Sequence, residues 1–248
     1  NICYGKGYYT TKGLMYFWDF DREKSFLFDR KMNARGLKSG KVFRVPSAWS
    51  YHKSDVIHIH GDKQHWSSFV IDSRYIEAIG QLNHWTLDFE FAVGTHPEDH
   101  RKRDQGEIRA FGQLMKWGDL VVEVFRDSGQ RWKIMVRVTY KGIQKSIRDL
   151  SGFKYYYMAI RSEENGISVW IDSYCTDYIE TIRIPMNECC DSSITFGGIG
   201  FAGRLDDIKL YKRRLMPWEI TANYWGNQWS VDPKSKLPTT WSKIKYGE

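Results

Sequence analysis

The sequence predicts an all-β chain, a sandwich of two antiparallel sheets with one short C-terminal helix. Three observations carry this prediction. Apolar and polar residues alternate with a period of two through much of the chain, turn-forming residues separate those runs at short intervals, and a single segment has clear helix punctuation.

Leu14-Met15-Tyr16-Phe17-Trp18-Asp19-Phe20 reads as a buried strand, and the rest of the N-terminal third follows no regular pattern. Leu87-Asp88-Phe89-Glu90-Phe91-Ala92-Val93 alternates as a half-buried strand does, and Gly94 ends it. Residues 121–126 and 132–138 flank Asp127-Ser128-Gly129-Gln130, the spacing of a hairpin. Residues 155–161 and 167–171 flank a turn holding Asn165-Gly166, which supplies the positive φ values of a second hairpin. Residues 193–197 and 204–211 supply two more strands around a Gly-rich bend. The helix signal is Pro217-Trp218-Glu219-Ile220-Thr221-Ala222-Asn223-Tyr224-Trp225, with Pro in the first turn and Gly226 just beyond.

The chain has 248 residues, 42% of them hydrophobic and 16% aromatic, including 11 Trp, enough for a substantial core. No Pro/Gly/Ser linker divides it and no repeat is apparent. A single domain over 1–248 is therefore expected, with a core over about 14–225 and a tail at 226–248. No run approaches the ~18 consecutive apolar residues of a transmembrane helix. Lys and Arg total 37 against 30 Asp and Glu, a net charge of +7. That balance favours acidic partners, although basic residues scattered over a solvated surface are the commoner explanation. No recognition helix, RNA-binding aromatic motif or long basic tract appears, so no nucleic-acid partner is expected. Cys3, Cys175, Cys189 and Cys190 include no CxxC pair with zinc spacing, and either two disulfides or a reduced state is compatible with them.

Gly203-Arg204-Leu205-Asp206-Asp207-Ile208-Lys209-Leu210-Tyr211-Lys212-Arg213-Arg214-Leu215, followed by Glu219-Ile220, resembles the last-strand signature of laminin-G-like domains. In that family a Gly-x-Ile/Leu-Asp-Asp/Glu strand enters an Arg-Ala-Leu turn and a short helix; here Arg214 replaces Ala. Residues 16–21, 87–93 and the 156–172 hairpin resemble other strands of the family in the same order, with Ser173 where Gly is usual. The tail Leu237-Pro238-Thr239-Thr240-Trp241-Ser242-Lys243-Ile244-Lys245 is similar to endings of Bacteroidetes surface glycan-binding proteins. The resemblance covers about 14–225. It implies a jelly roll of the concanavalin A-like kind and a secreted or cell-surface, lectin-like carbohydrate-binding module. The same resemblance allows a protein-interaction or adhesion module, or a polysaccharide lyase or glycoside hydrolase.

The paired-carboxylate strand Glu-x-Asp-x-x-Glu of hydrolases with this fold is absent, as are Gly-x-Ser-x-Gly, His-Glu-x-x-His and a phosphate loop. Asp88 and Glu90 share a strand face, but on the polar side of the alternation, where a solvated face is expected. Sugar rings stack on flat indoles, so aromatics in loops are the binding candidates. These are Trp49 and Tyr51 in a polar-aromatic stretch, Trp66 after Gly61-Asp62-Lys63-Gln64-His65, and Trp117 between two strands. Trp18, Trp85 and Trp170 sit within strand patterns and are assigned to the core. Arg101 and Arg103, in the charged stretch 96–106, could grip a uronate or sulfate of an acidic glycan through bidentate bonds, or simply be solvated. His58 and His60 would share one face of an extended segment but lack a convincing zinc ligand set.

Strict alternation puts Asp206 on the face of Ile208 and Leu210, pointing toward the core edge. Such a carboxylate must be hydrogen-bonded, paired with a cationic side chain or bound to a metal. The family resemblance implies a structural Ca²⁺ here, held by Asp206 with Asp19 or Asp21.

Overall fold

The computed structural model describes residues 10–21, 26–29, 34–45, 55–60, 66–75, 84–93, 112–126, 133–151, 155–164, 166–173, 176–184, 192–198 and 200–228. They form two antiparallel sheets and one helix, the all-β sandwich expected from the alternation. In spatial order, one sheet has β13 (Thr176–Ile184), β12 (Gly166–Ser173), β11 (Tyr155–Glu163), β6 (Thr86–Val93), β15 (Ala202–Tyr211), β4 (Val56–His60) and β3 (Val42–Val45). Its eighth strand, β1 (Leu14–Trp18), also pairs with β15. The other sheet has seven strands: β10 (Ile143–Ser151), β9 (Lys133–Tyr140), β8 (Leu120–Arg126), β7 (Gly112–Trp117), β14 (Ile194–Gly198), β5 (Ser67–Ile71) and β2 (Gly36–Ser39).

Alternation fills the space between the sheets. Leu87, Phe89 and Phe91 of β6 point inward with Tyr156, Met158 and Ile160 of β11, and Val122, Val124, Val136 and Val138 come from the seven-stranded sheet. Aromatic edges join the layers: Phe89 meets Phe196 at 5.1 Å and Trp18 meets Phe69 at 6.2 Å, both edge-on. The Phe69 ring fits because position 36 is glycine, where any Cβ would collide with it. Each buried aromatic or aliphatic side chain contributes roughly 1.5–3 kcal/mol.

The N-terminal third contains β1 to β5, more strands than its irregular sequence suggests. The short β2 exposes three of its four residues, whereas β4 buries four of five, so neither shows simple alternation. The helix, α1 (Pro217–Gln228), continues through Gly226 instead of stopping before it. Its start is capped by Glu219 from within the first turn. Met216 donates its backbone N–H to Glu219 Oε2 at 2.9 Å, and Arg213 holds the same carboxylate with two bonds of 2.5 and 2.6 Å. Ile220 and Tyr224 pack on Tyr157, Ala159, Tyr211 and Leu215, a second small core on the outer face of the eight-stranded sheet. No helix among the described residues is long and apolar enough to cross a membrane.

Candidate ligand-binding face

The outer faces of the two sheets differ. On the eight-stranded sheet, Asp88, Arg204, Asp206, Asp207 and Lys209 are all buried. Asp88 and Glu90 are 0% and 3% exposed, so the polar side of β6 is not the solvated face that its pattern predicts. A further layer covers it: Asn223 of α1 reaches Asp88 directly at 2.7 Å. The same burial closes this carboxylate pair to an external substrate.

The expected orientation of Asp206 is also corrected. Asp206 lies opposite Glu90 and Lys209 opposite Asp88, so β15 spends one residue more than β6 over this interval. Asp207 makes the bulge with a φ of 50°. Leu205 and Ile208 therefore both face the core, and Asp206 faces outward, accepting the backbone N–H of Asp207 at 2.9 Å. Asp21 is engaged elsewhere, accepting the Asp55 N–H at 3.1 Å, while Arg44 binds the carbonyls of Phe20 and Asp21 and pairs with Asp55. Asp19 is buried. Among the described residues no three His, Cys, Asp or Glu side chains group to hold a metal ion.

Among the described residues, the outer side of the seven-stranded sheet is half-buried to exposed. Because Val122, Val124, Val136 and Val138 point inward, their neighbours along the strands point outward. Paired positions carry Gln144, Thr139, Val121, Lys116, Thr195, Val70 and Leu37 in a row across all seven strands. A second row carries Ser146, Arg137, Glu123 and Gln113. At ~4.8 Å per strand, the face is roughly 30 Å wide. The Arg137 guanidinium lies 4.2 Å from the centroid of the Phe125 ring and 3.8 Å from Glu123, and Gln113 donates to the Gly197 carbonyl at 2.9 Å. Hydroxyls, amides, one carboxylate and two cations thus share a strip with an aromatic-guanidinium stack, groups suited to reading hydroxyls and anionic substituents.

Trp66 stands at a corner of this sheet, one residue before β5, and is 64% exposed. Its backbone is fixed from several sides. Its carbonyl packs against Gly40, which has a φ of 69°; Ser67 Oγ donates to the His60 carbonyl at 2.7 Å and accepts the Lys41 N–H at 2.9 Å. A fixed backbone carrying an exposed indole is the arrangement needed for stacking.

Trp117 is a correction: it is 0% exposed and packs on Trp85 at 4.5 Å, so its ring has no free face. Residue 117 is the last of β7 and pairs inward with Leu120 and Ile194. Trp18 and Trp85 are core as assigned; Trp170 is partly buried, with Arg161 stacked at 5.6 Å. His58 and His60 share a face, with rings 6.0 Å apart. Trp49, Tyr51, Arg101, Arg103 and all four cysteines lie outside the described residues. Val93 and Gly112, which bracket the stretch containing both arginines, end their strands at the same end of the sandwich as Trp66. Arg137, Glu123, Gln113 and Lys116 were missed as site residues. Their outward positions were readable from alternation, but the openness of their face was not.

No family model and no curated protein matches the chain. Solved structures do match. Domain 4 of a GH43 extracellular arabinanase from Geobacillus stearothermophilus, in complex with arabinotriose, superposes with a TM-score of 0.53 at 13% identity, covering 84% of this chain and 96% of that one. Trypanosoma rangeli sialidase in complex with sialic acid gives 0.61 at 15% identity, over 89% of this chain and 34% of that one. The binding domain of botulinum neurotoxin DC in complex with SialylT gives 0.58 at 10%, over 87% and 51%. The likeness is one of fold. The chain spans about a third of the sialidase and about half of the toxin structure.

Proposed function

We propose that this chain is a carbohydrate-binding β-sandwich that takes its ligand on the outer face of the seven-stranded sheet, with Trp66 as the stacking residue at its edge. One observation carries the reading: α1 packs on one outer face, where Asp88, Glu90, Arg204 and Asp206 are buried, whereas the other is a polar strip flanked by an exposed, well-anchored indole. The neighbours of similar fold that were solved with arabinotriose, sialic acid and SialylT support it. Lys116 and Arg137 against Glu123 leave the strip with excess positive charge, in line with the chain's +7, and this suits glycans bearing uronate or sulfate. Such a ligand belongs to a secreted or cell-surface setting.

Shallow stacking and a few polar contacts correspond to millimolar to micromolar affinity, about −4 to −8 kcal/mol. Affinity electrophoresis in gels containing neutral or uronate-rich polysaccharides tests the proposal. Retardation is expected on acidic polysaccharides, weakened at least about tenfold in Trp66→Ala and in Arg137→Ala. Folded protein that no polysaccharide retards would overturn it.

A second reading, protein adhesion, is favoured by Met216 and Trp218, which are 55% and 68% exposed side by side at the start of α1. Capture of a protein partner that is lost in Trp218→Ala and kept in Trp66→Ala would select it.

A further inference from the structure

The buried side of the eight-stranded sheet contains a carboxylate that joins four parts of the chain. Asp88 Oδ2 accepts the Tyr157 hydroxyl at 2.8 Å and the Asn223 amide at 2.7 Å. Asn223 also donates to the Tyr211 hydroxyl at 3.0 Å, and its own oxygen accepts the Thr10 N–H at 2.7 Å. One side chain of β6 is thereby connected to β11, β15, α1 and the residues leading into β1.

Its electrostatic surroundings are unusual. Asp88 Oδ1 lies 3.8 Å from Lys209 Nζ, and the same ammonium lies 3.7 Å from Asp207 Oδ2 and 5.1 Å from the Phe17 ring centroid. Two carboxylates thus share one ammonium where water is excluded, with Glu90 two residues along β6 and the Tyr157 and Tyr211 hydroxyls alongside. An ionised carboxylate is costly in such a place, and a proton removes that cost while leaving Oδ2 able to accept both hydrogen bonds.

We propose that Asp88 is a proton-operated latch, fastening α1 and the Thr10 segment to the sheet more firmly as the medium passes from neutral to mildly acidic. Burial pushes the Asp88 carboxyl from 3.8 up to about 6, although Lys209, Asn223 and Tyr157 act in the opposite direction. The folded value is the raised one. The latch is therefore tightest below the unfolded value and loosens as pH rises through about 6.

Hydrogen exchange of the full chain, corrected for intrinsic rates, is the test. Between about pH 7.5 and about pH 5 the opening equilibrium of α1 should fall about tenfold. Asp88→Asn should flatten this dependence. Tyr157→Phe keeps the carboxylate but removes a donor to its charged form, and should move the transition to higher pH. Equal protection of α1 at both pH values, or an unaltered profile in Asp88→Asn, would overturn the latch. If Asp88→Asn does not fold, an unmoved transition in Tyr157→Phe overturns it instead.

Discussion

Asp206 stands opposite Glu90, on the other face of β15 from Ile208, because Asp207 between them takes a φ of 50° and adds a residue to the strand. Asp tolerates that conformation better than most residues, and Asp207 also faces Lys209 at 3.7 Å. Two substitutions separate these roles. Asp207→Asn removes the charge but keeps the conformational tolerance, whereas Asp207→Val loses both. Chemical denaturation should show the valine variant less stable than the asparagine variant by about 1–2 kcal/mol. Equal stabilities would mean that the bulge carries no conformational cost.

Trp66 and Trp117 should behave in opposite ways. Trp66→Ala should leave the unfolding free energy within about 0.5 kcal/mol while weakening glycan retention, since the ring is largely exposed. Trp117→Ala empties a buried site against Trp85 and should cost about 3–5 kcal/mol. Urea titration of the two variants checks this, and a large loss in Trp66→Ala would place its indole in the core.

Stability should peak in mild acid. Asp88 has a raised folded value, so stability increases by roughly 1 kcal/mol as pH falls from about 7.5 to about 5. Glu219 is shifted the other way, lowered by its hydrogen bonds from Arg213 and opposed by burial. Its contribution is present above the unfolded carboxylate range and is lost as pH falls through the lower folded value. Denaturation midpoints should therefore rise as pH falls from about 7.5 to about 5 and fall again in stronger acid, below the ordinary glutamate value of 4.5, and a steady decline from neutral pH would contradict the assignment to Asp88.

The start of α1 offers a further check. Glu219→Ala removes the acceptor for the Met216 N–H and the partner of Arg213, and should cost about 1–2 kcal/mol. Glu219→Gln retains a cap acceptor and should recover part of that loss. Thermal unfolding of the two variants measures the difference; identical losses would assign the whole effect to charge.

The sequence by itself determined the layered β architecture, the hairpins around residues 127–130 and 164–165, the inward set on β6 and the position of the helix. Each follows from periodicity, turn chemistry or capping, which act over a few residues. The edge strands β10 and β13 and the short β2 escaped, since edge and short strands need not alternate. Tertiary structure alone decided what covers each face. Asp88 and Glu90 carry the pattern of a solvated strand, yet α1 arrives from more than a hundred residues away and joins the layer over that side. Asp206 reads as inward until Asp207 turns it, and Trp117 reads as a loop residue until its pairing with Leu120 and Ile194 brings it into the core. Alternation tells which residues share a side. Whether that side meets water, a second layer or a ligand depends on long-range packing.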